Sequence, residues 1–180
     1  MLIYIIQNPD IQRKAHAELN EFIGDRIITT DDKTNLKYIN AIVAETQRMC
    51  NLVPMNVPHK TTRDVEVMGY KIPKDTVIID QISTVMHDER YFPDAESFRP
   101  ERFIDSNGKF FQPPELMPFG VGKRACLGEG LARLELFLFT ANLLNQFEFT
   151  EVPGKPITGE KVIAATICSA PWVCSVTRRH

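Results

Sequence analysis

The stretch FGVGKRACLGEG, Phe119 to Gly130, sets a single cysteine between glycines, directly after a Lys-Arg pair and directly before a long apolar run. An isolated cysteine is more often a small buried hydrophobe than a reactive group. The surroundings of Cys126 argue for a thiolate instead. Unpaired backbone N–H groups at a helix N-terminus stabilise negative sulfur, and Arg124 adds positive charge two residues away. Gly122 and Gly128 leave bare backbone beside the sulfur, where a large flat group can approach closely.

Two phosphate chemistries fail on spacing. A phosphate-binding Gly-Lys loop needs glycine where Met117 stands and Ser or Thr where Arg124 stands. A phosphatase-type cysteine loop wants arginine six positions after the nucleophile, where Ala132 is found and Arg133 is one position late. A haem with an axial cysteine thiolate meets all the demands at once. Its sulfur takes amide donors, its macrocycle takes bare backbone, and its propionates take cations.

The rest of the chain must position that loop. Its 180 residues are 43% hydrophobic with a net charge of -2, enough for one domain with a sizeable core and no global pull toward nucleic acid or anionic membrane. The four cysteines, at 50, 126, 168 and 174, form no Cys-x-x-Cys pair and read as reduced thiols. Met1 to Ile6 is too short for a signal-peptide core or a membrane span and reads as the tail of a longer helix.

Asn8-Pro9-Asp10 reads as an N-cap and first turn, followed by Ile11, Ala15, Leu19, Phe22 and Ile23 at helical spacing, which predicts a helix over 9–22. Leu36, Ile39, Ile42, Val43 and Met49 predict a second helix over 36–51, ended by Pro54. Alternation from Val65 to Ile79, with a Met-Gly turn and the Pro73-Lys74-Asp75 turn, predicts a small antiparallel sheet. Residues 87–118 are rich in proline and charge, so they form a long ordered loop or are disordered. The aromatics Tyr91, Phe92, Phe98, Phe103, Phe110 and Phe111 argue for packing. After Cys126, Leu131, Leu134, Leu138 and Ala141 predict a buried core helix running to Phe147, and Val162 to Ile167 with Trp172 to Val176 predict a closing hairpin.

Phe119, Gly122, Arg124, Cys126 and Gly128 resemble, residue by residue, the haem-binding loop of the cytochrome P-450 family. Glu45-Thr46-Gln47-Arg48 is similar to that family's Glu-x-x-Arg helix, and Phe98-Arg99-Pro100-Glu101-Arg102-Phe103 to its proline-rich loop. Order and separation agree too. The resemblance covers essentially the whole chain as the C-terminal portion of a microsomal, animal-type member.

The resemblance implies a mainly α fold with small antiparallel β-sheets, residues 1–180 being a single partial domain of the haem-thiolate fold. It implies haem b with Cys126 as the axial iron ligand and catalytic residue, and Phe119, Gly122, Arg124, Gly128 and His59 at the cofactor, Arg124 and His59 on its propionates. Glu45 and Arg48, three apart, would alone read as an exposed helix pair. The resemblance implies instead a buried triad with Arg102. Val53, Met55, Val57, Thr166, Ile167 and Cys168 match segments that line the substrate pocket and suit a lipophilic molecule, as an ordinary core loop also would.

The activity implied is a monooxygenase using O2 and electrons from an NADPH-dependent cytochrome P-450 reductase, with Lys123 and Arg133 as docking cations or as a merely solvated face. The alternative is a truncated, non-catalytic product that binds haem weakly or acts through protein contacts. The implied location is the cytosolic face of the endoplasmic reticulum through an anchor upstream of Met1, or the cytosol if Met1 is the true start. The long helix that delivers protons to oxygen is likewise expected upstream.

Overall fold

The computed structural model describes residues 1–164 and 166–180. Helix α1 (Leu2–Gln7) and helix α2 (Pro9–Phe22) are separated only by Asn8, whose backbone leaves the helical region (φ -128°, ψ 73°). The ring of Pro9 disfavours a helical residue before it. The Asn8 side chain does not cap α2 as expected; its Nδ2 donates to the Tyr4 carbonyl at 2.8 Å and closes α1. Ile11, Ala15 and Leu19 form the buried stripe of α2.

Helix α3 (Lys37–Cys50) is central, with every residue from Ile39 to Met49 buried. It ends at Asn51, which takes the left-handed conformation (φ 43°), and not at Pro54. One side of α3, through Ile39, Ile42 and Met49, packs into a core with Ile5, Leu19, Phe137 and Leu144. Ala41 and Ala44, on the other side, join Met86, Phe92, Phe103 and Leu116 in a second core. The small alanines let the long segment lie close to the helix, and α3 contributes to both cores.

The expected sheet is two separate ladders. Strand β1 (His59–Lys60) pairs antiparallel with β4 (Val77–Ile78), and β2 (Val65–Val67) pairs with β3 (Tyr70–Ile72). His59 is therefore a strand residue. Met68 and Gly69 both take positive φ in the β2–β3 turn, as a two-residue hairpin of this hand requires. Asp75 adopts φ 67°, a conformation that short polar side chains tolerate. Helix α4 (Ile82–Met86) then leads into 87–118, which is ordered and holds a 3₁₀ turn at Pro100–Phe103. Phe92, Phe98 and Phe103 of this segment are buried, whereas Tyr91 and Phe111 are exposed.

Helix α5 (Glu129–Gln146) packs against α2 and α3 through Phe137, Thr140, Ala141 and Leu144. Of the stripe expected through Leu131, Leu134, Leu138 and Ala141, Ala141 is buried and Leu138 packs partly buried against the first core, whereas Leu131 is exposed. Leu131 is 64% exposed and Phe139 68%, so α5 keeps exposed apolar side chains in both of its halves. The expected closing hairpin is also wrong. β6 (Lys161–Ile163) pairs with β7 (Ile167–Ser169), and β8 (Ser175–Arg178) pairs instead with β5 (Phe147–Thr150). Ala165, within the expected strand 162–167, lies outside the described residues. The alternating FEFT after α5 supplies a partner strand that the helix reading had partly absorbed. Among the described residues no helix is long and apolar enough to cross a membrane.

Candidate functional site

Glu45 and Arg48 share a face of α3 because they are one turn apart, and both are fully buried. Arg48 forms a two-pronged pair, Nε donating to Glu45 Oε2 at 2.8 Å and Nη2 to Oε1 at 3.0 Å. Arg102, from the 3₁₀ turn, donates through Nε to the same Glu45 Oε1 at 3.0 Å, and the Arg99 backbone N–H adds a bond of 2.8 Å. Two guanidinium groups against one carboxylate leave an excess positive charge in a buried place. Carbonyl oxygens offset it: Arg48 donates to Met86, Ala95 and Ser97, and Arg102 to Pro93, Asp94 and Ser97. Burial pushes the Arg102 guanidinium below its ordinary value, and Glu45 opposes that shift. The result fastens residues 86–102 onto α3.

The Cys126 loop lies where this fastened segment runs into α5. Its turn is shaped by Gly120 and Gly122, both near φ 73°, a region where a side chain would be strained. The Cys126 N–H donates to the Phe119 carbonyl at 2.9 Å, and the Cys126 carbonyl accepts from the Glu129 N–H at 3.3 Å. Cys126 is exposed and unpaired, as is Cys168, while Cys50 and Cys174 are half-buried free thiols. Gly128 is 3.9 Å from the Cys126 sulfur, measured from where a Cβ would stand, which is ordinary contact distance. Lys123 and Arg124 are exposed and enter no ion pair among the described residues. Val121, Leu127 and Leu131 are exposed around them.

His59 stands on β1 with Nδ1 4.0 Å from Asp80 Oδ1, and Asp80 accepts from Asn56 Nδ2 at 2.8 Å. Asn56 Nδ2 in turn sits 3.2 Å from where a Gly120 Cβ would be, so any larger residue at 120 would press on it. A short polar relay thus links His59 to the start of the cysteine loop. No residue pattern pointed to Asn56 or Asp80.

The six residues expected at a substrate pocket divide. The Ile167 N–H donates to the Leu52 carbonyl at 2.9 Å, joining β7 to the 52–57 loop. Ile167 and Cys168 line a cavity of about 180 Å³ with Met1, Tyr4, Cys50 and Trp172. Val53, Met55 and Val57 do not line it; Met55 and Val57 are exposed on the loop. Thr166 lies beside Cys168, its Oγ1 3.9 Å from the sulfur.

Arg133, expected as a free cation, is engaged. Its Nε donates to Glu129 Oε1 at 2.7 Å, and its guanidinium lies 5.1 Å from the centroid of the Phe119 ring. Polar anchors at long sequence separation also escaped the sequence reading. Glu18 accepts the Tyr38 and Ile39 N–H groups at the start of α3, and Glu101 accepts from Tyr38 Oη at 2.8 Å and Lys14 Nζ at 2.6 Å. No periodicity reports such pairs.

Comparison with known proteins agrees with this arrangement. The cytochrome P450 family model matches residues 1–165. Over 98% of its length the chain is 41% identical to cytochrome P450 2D26 of Rattus norvegicus, 40% to cytochrome P450 2D6 of Homo sapiens and 41% to cytochrome P450 2D14 of Bos taurus. It spans 36% of the length of each of these relatives. Helices with small antiparallel ladders, a buried Glu-Arg-Arg cluster and a glycine-bounded cysteine before a long helix thus occur in a chain that the family model matches nearly end to end: the chain belongs to the cytochrome P450 family.

Proposed function

We propose that this chain is the haem-binding, C-terminal portion of a monooxygenase, with Cys126 as the axial thiolate ligand of haem b. The observation that carries the reading is the exposed Cys126 sulfur at the start of α5, set among unpaired cations and exposed apolar side chains. Among the described residues no group of three or more His, Cys, Asp or Glu is placed to hold a metal ion. A lone thiol suits a metal that brings most of its own ligands, as the iron of a macrocycle does. The donor set fits haem.

When bound, the haem supplies an iron at which O2 is activated for insertion of one oxygen atom into a lipophilic substrate. The chain's residues bind and orient it. Cys126 supplies the sulfur, and Gly122 and Gly128 keep side chains off the macrocycle. Arg124 and His59 would hold the propionates, with Asp80 Oδ1 4.0 Å from His59 Nδ1. Phe119 shapes the loop behind the sulfur. Glu45, Arg48 and Arg102 hold the segment leading to the loop in one conformation. Val53, Met55, Val57, Thr166, Ile167 and Cys168 would offer mixed apolar and small surface to the substrate, and the Ile167–Leu52 hydrogen bond between β7 and the 52–57 loop supports that reading.

Electrons come from an NADPH-dependent reductase that docks on the thiolate side, where exposed Lys123 gives local positive charge. The parent enzyme works at the cytosolic face of the endoplasmic reticulum. The test is the ferrous carbon monoxide spectrum of haem-supplied chain. A red-shifted Soret band that vanishes in Cys126→Ser is expected. If folded, haem-supplied chain lacks the band, or if the band persists in Cys126→Ser, the ligand is not this thiolate.

A further inference from the structure

We infer that Arg133 is a positioning residue that clamps the ring of Phe119 and thereby fixes the backbone of Cys126. Arg133 lies one turn into α5 and is only 22% exposed in its side chain, low for an arginine on a helix flank. Its charge is already matched by Glu129, four residues earlier on the same face. That pairing through Nε leaves the flat guanidinium to lie against the Phe119 ring at 5.1 Å, an arrangement favoured by the ring's electron-rich face.

The ring is half-buried. Phe119 belongs to neither buried cluster of the molecule. Yet its carbonyl makes the one backbone hydrogen bond among the described residues that spans the loop, accepting from the Cys126 N–H at 2.9 Å. The other bonds of the loop are local, Gly120 to Met117, Ala125 to Gly122 and Glu129 to Cys126. Holding the ring restricts the backbone of residue 119, and with it the carbonyl that accepts from the sulfur-bearing residue. A cation of α5 therefore sets the loop that precedes α5.

The inference deepens the haem-thiolate reading but is tested apart from it, on the chain without haem. Amide hydrogen exchange is read residue by residue in four chains: wild type, Arg133→Ala, Phe119→Leu and the double variant. Arg133→Ala is expected to speed exchange at Cys126 about three- to tenfold. The Phe137 and Ala141 amides of α5 stay unchanged. In the Phe119→Leu background the same substitution changes Cys126 by less than about twofold, because there is no ring left to hold. Phe119→Tyr, which keeps the ring, responds to Arg133→Ala as wild type does. Phe119→Met replaces Phe119→Leu if the latter fails to fold.

No acceleration at Cys126, equal acceleration in both backgrounds, or acceleration spread along all of α5 overturns the clamp. The first outcome would return Arg133 to a docking or solvated role, and the last to simple helix support. A missing thiolate band leaves this result untouched, and a failed clamp leaves the band untouched.

Discussion

The Glu45 cluster and the Cys126 loop both gather arginines near a single acidic or thiol group, and the chain treats them in opposite ways. Around Glu45 every charge is buried and answered, by two guanidinium groups, a backbone N–H and five carbonyl oxygens from Met86 to Ser97. Around Cys126, Lys123 and Arg124 stand in solvent with no ion-pair partner among the described residues, and the neighbouring Leu127 and Leu131 are exposed. A buried charge left unpaired is heavily destabilising, so the first region must be complete within the chain. Exposed cations cost nothing to leave unpaired, so the second can stay open for a ligand. On the proposed haem-ligand reading, stability and ligand binding are separated along the chain, and substitutions in the two regions should differ in kind.

The largest loss of stability is expected from Glu45→Ala, which strands two buried guanidinium groups. Urea unfolding should show a destabilisation of about 3–5 kcal/mol, and a loss below about 1 kcal/mol would mean the cluster is not closed to water. Arg102→Ala should cost less, about 1.5–3 kcal/mol, since Glu45 retains Arg48 and the Arg99 N–H. If both substitutions cost the same, Arg102 is as essential as the pair within α3, and the ranking drawn from their contacts is wrong.

Away from both regions, His16 sharpens the contrast by pH. Burial, with the Arg179 charge adding to it, holds His16 down from its ordinary value to about 4, and its Nε2 is buried without a partner. Between pH 6.5 and about 4 the unfolded chain binds the proton and the folded chain resists it. Stability should therefore be intact above pH 6.5 and fall as the pH drops toward 4, by roughly 1–2 kcal/mol. His16→Gln should remove that share of the acid sensitivity. Thermal midpoints of the two chains across this window check it, and parallel profiles would show that His16 is already charged in the fold.

The smallest stability change is expected at the proposed haem ligand. Cys126→Ser should alter unfolding free energy by less than about 0.5 kcal/mol, as an exposed position allows. A loss above about 2 kcal/mol would make Cys126 part of the packing and erase the distinction between the two regions.

Much of this was legible in the sequence, though unevenly. The spacing of Ile11, Ala15 and Leu19 and of Ile39, Ile42 and Met49 reports helices because burial on one face imposes a period near four residues. The cysteine loop was legible because its glycines, cations and thiol are contiguous. Three things were not. The partner of Ser175–Arg178 depends on which free edge is available in space, and β5 offered one that Val162–Ile163 did not. The exposed face of Leu131 and Phe139 has the same composition as a buried one, so an apolar helix could not reveal which side lacks a neighbour. The contact of Arg133 with Phe119 depends on how the loop folds back over α5, which spacing alone does not fix.

The measurement closest to the central claim is the alkylation of the two exposed thiols, Cys126 and Cys168, with and without added haem, each followed by its own peptide mass. Selective protection of Cys126 is expected, with Cys168 reacting at an unchanged rate. If Cys126 reacts equally fast in the presence of haem, or if Cys168 is protected to the same degree, then the loop before α5 is not where the haem iron finds its ligand.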